Sequence, residues 1–189
     1  MPLRIGTSGW QYRHWSGCFY PADLPVSRWL RFYAGCFETV EVDSAFYRLP
    51  AADVFARWRD ETLASFPEGI RLAVEARHES WDCDAVWELL ARHKAAWCIA
   101  DAPWRRWPVV KTSDWGYFRF HEGVASPRPC YGSRALASWA SRIARTWPAE
   151  ADVYAYFNND ACTCAPRDAQ RFAAACTREG LLTSRVSPP

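Results

Sequence analysis

Strand-like and helix-like segments alternate along the whole chain, and this order constrains the fold more than any other feature. Side chains in a strand alternate between two faces, whereas apolar residues on a helix recur every three or four positions. Strands are predicted to start at Leu3 and to cover 38–43, 71–77, 97–101, 117–121 and 152–159. Helices are predicted at 25–37, 51–62, 82–93, 134–146 and 165–179. This alternation favours a single α/β domain over residues 1–189, with about six parallel strands.

Polar residues gather where these strands end. In the strand at 38–43, Val40 and Val42 point to one face, and Glu41 and Asp43 to the other. Strands of a parallel sheet are buried on both faces, so carboxylates there are costly without partners or ligands. Similar polar ends recur at Glu75, Arg77, His78, Asp101, Arg119, His121, Asn158 and Asn159. In a barrel these ends share one rim, which is where barrel enzymes carry their active sites.

The residue types at this rim predict a site for proton transfer and anion binding. We expect His121 to move a proton and Glu75, Asp101 and Glu41 to act as bases or as ligands of a divalent metal. A guanidinium binds anions well, so Arg119 and Arg77 are predicted to hold an anionic group. The remaining predicted binding residues are His78, Asp43, Tyr47, Trp10 and Asn158.

The same residues also have a structural interpretation. Arg119 could pair with Glu41 or Glu75 across the barrel, and His121 could hydrogen-bond a neighbour. Trp10 and Tyr47 could pack beneath a loop, and Asn158 could only terminate its strand. No local ligand spacing identifies a metal, which leaves the cofactor undetermined.

Composition excludes several classes of protein. The net charge of +2 argues against a nucleic-acid or membrane surface, and the apolar runs are too short to span a bilayer. The eight cysteines lack paired C-x-x-C spacings and no basic-then-apolar leader opens the chain, so we expect reduced thiols and a cytoplasmic location. Cys162 and Cys164, with one residue between them, could instead hold a metal or form a redox pair.

Several motifs resemble those of the YecE-like family, also called domain of unknown function 72. They are GTSGW at 6–10, FYRLP at 46–50, EARHESW at 75–81, YFRFH at 117–121 and YAYFNN at 154–159. The resemblance implies a TIM-barrel-like fold and brings no established activity. It also implies that this chain lacks about two strand and helix units before residue 71. Asp43, Ala45 and Glu122 depart from the family pattern.

A shortened barrel would be incomplete and would expose strand edges, which invite pairing with a second copy of the chain. We therefore expect an open barrel, a homo-oligomer that completes it, or a degenerate member that folds poorly. The first functional hypothesis is a hydrolase acting on a small anionic or phosphate-bearing substrate at the rim. The alternatives are a non-catalytic ligand-binding or scaffold protein, and a nucleic-acid-binding protein whose affinity would fall steeply with salt.

Overall fold

The computed structural model describes residues 2–7, 10, 12–37, 71, 73–76, 79–103 and 105–186 of the 189-residue chain. The strands are β1 (Pro2–Thr7), β2 (Ala73–Val74), β3 (Ala96–Ala102), β4 (Arg105–Arg106), β5 (Gly116–Phe120), β6 (Val153–Phe157) and β7 (Leu182–Thr183). The α-helices are α1 (Trp29–Cys36), α2 (Asp84–Arg92), α3 (Ser133–Thr146) and α4 (Cys164–Arg178).

The described strands form one sheet in the order β2, β3, β5, β6, β1, β7, with β4 paired to the end of β3. The β3–β4 pair is antiparallel and every other described pair is parallel. Over the described residues the sheet runs from β2 to β7 without closing on itself. The prediction of an incomplete, TIM-barrel-like α/β fold is therefore confirmed.

Most predicted elements are present, with shorter bounds. The predicted strand at 38–43 and the predicted helix at 51–62 lie outside the described residues. Strands β4 and β7, of two residues each, were not predicted.

One face of the sheet carries the apolar core beneath the helices. Phe120 and Phe157 are fully buried and stack on each other with ring centroids 4.5 Å apart. Phe172 of α4 lies 5.2 Å from Phe120, and Trp139 of α3 lies 5.9 Å from the same ring. These aromatic contacts fix α3 and α4 over the strands β5 and β6, which carry the candidate site.

The opposite face is aromatic and polar. Arg119 of β5 is in register with Tyr156 of β6 and with Ala100 of β3, so their side chains share this face. Tyr117 lies on the same face, and its ring centroid is 5.2 Å from that of Tyr156. This face corresponds to the lumen of a complete barrel.

The C-terminal segment covers one edge of β1. After β7, the N–H of Ser184 donates to the carbonyl of Leu3 at 2.7 Å, and the N–H of Ile5 donates to the Ser184 hydroxyl at 3.1 Å. These bonds satisfy backbone groups that would otherwise be exposed at a strand edge.

The prediction that all cysteines are reduced thiols is wrong for one pair. Cys130 and Cys164 form a disulfide, with Cα atoms 4.9 Å apart and a separation of 34 positions in the sequence. No short spacing marks this pair, because folding brings the loop after β5 against the first residue of α4. Cys164 therefore bonds to Cys130 and not to Cys162.

None of the helices in the described part of the chain combines the length and apolar character needed to cross a membrane.

Candidate functional site

Three of the predicted site residues each follow directly after a strand. Glu75 comes after β2, His121 after β5 and Asn158 after β6. Since these strands belong to one parallel sheet, their C-terminal ends lie at the same rim. The structure thus brings these three residues together, as the positions of polar residues at strand ends predicted.

Glu75 links the other charged groups of this rim. One carboxylate oxygen accepts a hydrogen bond from Nη1 of Arg119. The other oxygen lies 2.9 Å from Nε2 of His121. The structural interpretation that Arg119 pairs with Glu75 is therefore confirmed, and the same carboxylate also holds His121.

The Glu75 side chain reaches these partners across an intervening strand. Strand β3 lies between β2 and β5, and neighbouring strands are about 4.8 Å apart. On the face that carries Arg119, β3 presents Cys98 and Ala100, according to its register with β5. These small side chains leave room for a glutamate to cross the strand.

Burial makes the pairing of Arg119 and Glu75 necessary. The Arg119 side chain is only 6% exposed and the Glu75 side chain 18% exposed. A buried guanidinium without a counterion is strongly destabilising. Burial alone would raise the pKa of Glu75, but the hydrogen bond from His121 and the charge of Arg119 outweigh it and lower that pKa from 4.5 to about 2. Glu75 is thus an anion throughout the physiological pH range.

Both ring nitrogens of His121 have partners. Nδ1 lies 2.8 Å from Nδ2 of Asn158. With the amide in this orientation, Asn158 donates to a lone pair on Nδ1, and the ring proton is on Nε2, where it donates to Glu75. The imidazole is then neutral, with a defined tautomer.

The Asn158 amide allows a second state of the ring. Its buried Oδ1 has no hydrogen-bond partner among the described residues. A half-turn of the amide would bring Oδ1 to Nδ1, where it could accept a proton from a doubly protonated His121. The surroundings of His121 can therefore hold either one or two protons on the ring.

The expectation that Asp101 joins Glu75 and His121 is wrong. Asp101 is in register with Phe120, whose ring faces the helices, and its Oδ2 accepts a hydrogen bond from Nε1 of Trp139 at 2.9 Å. Its carboxylate therefore lies on the opposite face of the sheet. The backbone carbonyl of Asp101 accepts a hydrogen bond from the backbone N–H of His121 at 3.0 Å.

A buried polar network beside the site was not predicted. Oδ2 of Asp168, on α4, accepts hydrogen bonds from the N–H of Tyr131 at 2.7 Å and from Nδ2 of Asn159 at 2.8 Å. Burial outweighs these bonds and raises the pKa of Asp168. The network ties the loop after β5 to α4. Its members are too distant in sequence for any local pattern to indicate it.

Trp10 lies in the described part of the chain and packs against the core. It is partly buried, and its carbonyl accepts a hydrogen bond from the Tyr20 hydroxyl at 2.7 Å. The other predicted site residues lie outside the described residues: Glu41, Asp43, Tyr47, Arg77 and His78.

Among the described residues, no three His, Cys, Asp or Glu side chains lie close enough together to hold a metal ion. The divalent metal stays a prediction, and two of its predicted ligands, Glu41 and Asp43, lie outside the described residues.

Comparison with known proteins gives the family. A family model described as protein of unknown function DUF72 matches residues 4–67 and 60–189. These two segments meet next to the position where the sequence predicts the absent units. No curated protein matches the chain.

Two solved structures have a similar fold. A DUF72 family protein from Thermotoga maritima has a TM-score of 0.68 and 20% identity, over 92% of this chain and 98% of that chain. One from Enterococcus faecalis has a TM-score of 0.61 and 14% identity, over 99% of this chain and 98% of that chain. Nearly the full length matches the family model, and the chain belongs to the DUF72, or YecE-like, family.

Proposed function

We propose that Glu75, Arg119 and His121 form the active site of a hydrolase that acts on a small anionic substrate, with phosphate-bearing esters as the first class to test. The observation that carries this proposal is the Glu75 carboxylate, which binds the guanidinium and the imidazole at the rim of the sheet. A carboxylate that orients a histidine is a recurrent arrangement for general acid–base catalysis.

In this proposal Glu75 fixes the ring of His121 and stabilises the imidazolium. With Nε2–H bonded to Glu75, Nδ1 is the nitrogen that accepts a proton. A water molecule that replaces the Asn158 amide at Nδ1 would give its proton to the ring as its oxygen attacks the ester. His121 then returns that proton to the leaving group, and the ring is again neutral.

The sequence predicted that Arg119 and Arg77 bind the anion, but the proposal gives Arg119 a smaller part. The charge of Arg119 is already balanced by Glu75, so Arg119 alone would attract an anion only weakly. The proposal therefore assigns most of the anion binding to Arg77 and His78, which lie outside the described residues.

A non-catalytic ligand-binding protein is the second candidate. It is favoured by the two protein partners of His121, Glu75 and Asn158, which occupy both ring nitrogens. A ring held in this way serves to position a ligand as readily as to move a proton.

Turnover assays separate the two candidates. The purified protein should be assayed with phosphate monoesters and diesters, with and without Mg²⁺, Mn²⁺ or Zn²⁺. We expect hydrolysis that His121→Ala lowers by about a hundredfold or more. His93→Ala is the matched control, because His93 is exposed at the end of α2 and should be dispensable. Thermal stabilisation by these compounds without turnover would favour the binding protein and contradict the hydrolase.

A further inference from the structure

A second group of reactive side chains lies away from Glu75 and His121, where the loops after β5 and β6 meet. Cys130 in the first loop is bonded to Cys164, the first residue of α4. The two bonded cysteines are buried, at 3% and 0% exposure. Cys162, two positions before Cys164, is an exposed free thiol.

The side chain of Arg167 holds these three cysteines together. Its Nη2 lies 2.6 Å from the carbonyl oxygen of Cys162, 3.4 Å from Sγ of Cys130 and 3.9 Å from Sγ of Cys164. A guanidinium at this position stabilises a thiolate formed on either sulfur of the disulfide. The backbone of Cys162 and both sulfurs of the disulfide thus contact the same guanidinium.

The group opens to a cavity. A cavity of about 230 Å³ is lined by Cys162, Arg167 and Cys18, among others. Its size suits a small thiol compound. Such a compound meets the exposed Cys162 first, since the disulfide sulfurs are buried.

The backbone at Cys162 is unusual. Cys162 and Thr163 have φ values of 57° and 56°, in the left-handed region that a β-branched residue rarely adopts. Such conformations cost energy and concentrate at functional sites.

We propose that Cys130, Cys162 and Cys164 form a thiol–disulfide exchange site. In this site the exposed Cys162 thiol breaks the buried disulfide, and a low-molecular-weight thiol then reacts with the new disulfide at Cys162. In the first step the Cys162 thiolate attacks Sγ of Cys164. The new Cys162–Cys164 bond forms as the Cys130–Cys164 bond breaks, and Cys130 leaves as a thiolate beside Arg167. No net oxidation occurs in this step.

An external thiol completes the reaction. Its thiolate attacks the exposed sulfur of Cys162, forms a mixed disulfide there and releases Cys164 as a thiolate. A second thiol molecule attacks the external sulfur of this mixed disulfide and frees Cys162. In sum, the protein disulfide gains two electrons and two protons, and two external thiols become one external disulfide.

Glutathione is the probe for this reaction. The oxidised protein is mixed with excess glutathione, quenched with an alkylating agent at set times, and its peptides are identified by mass spectrometry. We expect a mixed disulfide at Cys162 or a Cys162–Cys164 bond before the thiols of Cys130 and Cys164 appear. Cys162→Ser should slow the loss of the disulfide about tenfold or more. Cys83→Ser, which removes an exposed thiol outside this group, should leave the rate unchanged.

Three results would overturn the proposal. They are equal rates of disulfide loss for Cys162→Ser and the wild type, a slower loss in Cys18→Ser but not in Cys162→Ser, and a purified protein that lacks the Cys130–Cys164 bond. Circular dichroism of each variant checks that the fold is retained. Cys162→Ser replaces one sulfur atom with oxygen, and because this position is exposed, the core packing should be unchanged.

Discussion

Glu75 determines the state of both of its partners at the rim. It neutralises a guanidinium that is almost fully buried, and it fixes the proton of His121 on the nitrogen that faces it. Glu75→Gln replaces one carboxylate oxygen with an NH2 group and removes the charge. We therefore expect it to change both the stability of the protein and the position of the proton on His121.

We predict that Glu75→Gln lowers the free energy of unfolding at pH 7 by roughly 3 kcal/mol, the value that corresponds to a pKa lowered from 4.5 to about 2. Because the pKa is lower in the folded state, this contribution is fully present above pH 4.5 and is lost as the pH falls towards 2. Urea unfolding of both proteins across this range measures the effect. The wild type should lose more stability than the variant, and parallel pH profiles would contradict the account.

The position of Asp101 shows what a local pattern cannot provide. Strand β3 is buried on both faces, so its residues are almost all apolar and their sequence does not alternate. Without alternation, the sequence gives no indication of which face an acid at its end will occupy. For β5, in contrast, Phe118 and Phe120 alternate with Arg119 and His121, and the faces were predicted correctly.

At the scale of elements, the loop between β5 and α3 is held by close backbone contact. Gly123 donates its N–H to the carbonyl of Pro129 at 2.8 Å, and Ala125 donates to the carbonyl of Cys130 at 3.0 Å. A Cβ at Gly123 would lie 2.2 Å from the carbonyl oxygen of Cys130. Only glycine fits at this position, because the obstructing atoms are backbone atoms.

We predict that Gly123→Ala destabilises the protein by roughly 1–3 kcal/mol through this overpacking. Gly35→Ala is the matched control. A Cβ at Gly35, in α1, meets no other heavy atom within 4 Å, and alanine should raise stability by up to about 1 kcal/mol, because it favours helix. Thermal unfolding compares the two. Equal melting temperatures for both variants would show that the loop adapts.

At the scale of the whole molecule, the described sheet ends at β2 on one side and at β7 on the other. The segment from β7 to Ser184 protects the edge of β1. An unprotected edge of a parallel sheet would offer its backbone groups to another chain.

We predict that a chain truncated after Gly180 unfolds at lower temperature and forms larger species, because the edge of β1 is exposed. Size-exclusion chromatography with light scattering measures this change. Ser184→Ala keeps the strand and removes only the hydroxyl that accepts from Ile5, so this variant should elute like the full chain. An unchanged mass and melting temperature after truncation would contradict a protective role.

Much of the fold could be predicted because most strands and helices are marked in the sequence by alternation, by an apolar run or by helical spacing. Of the five observed strands that were predicted, β1, β3, β5 and β6 have five to seven residues, and β2 is the two-residue part of a longer predicted strand. The helices α1 to α4 were predicted from their helical spacing. The disulfide, the hydrogen bond from Tyr131 to Asp168 and strand β7 depend on contacts between residues 34 or more positions apart. The packing of the whole molecule determines such contacts, so no local pattern indicates them.

Glu75, which follows β2, reaches across β3 and holds the proton of His121 on Nε2 at the end of β5. Nitrogen-15 NMR of histidine-labelled protein tests this claim directly, with the His121→Ala variant to assign the signals. We expect the neutral ring of His121 to carry its proton on Nε2, and we expect Glu75→Gln to remove this preference. A neutral ring protonated on Nδ1, or one whose signals do not change in Glu75→Gln, would contradict the account.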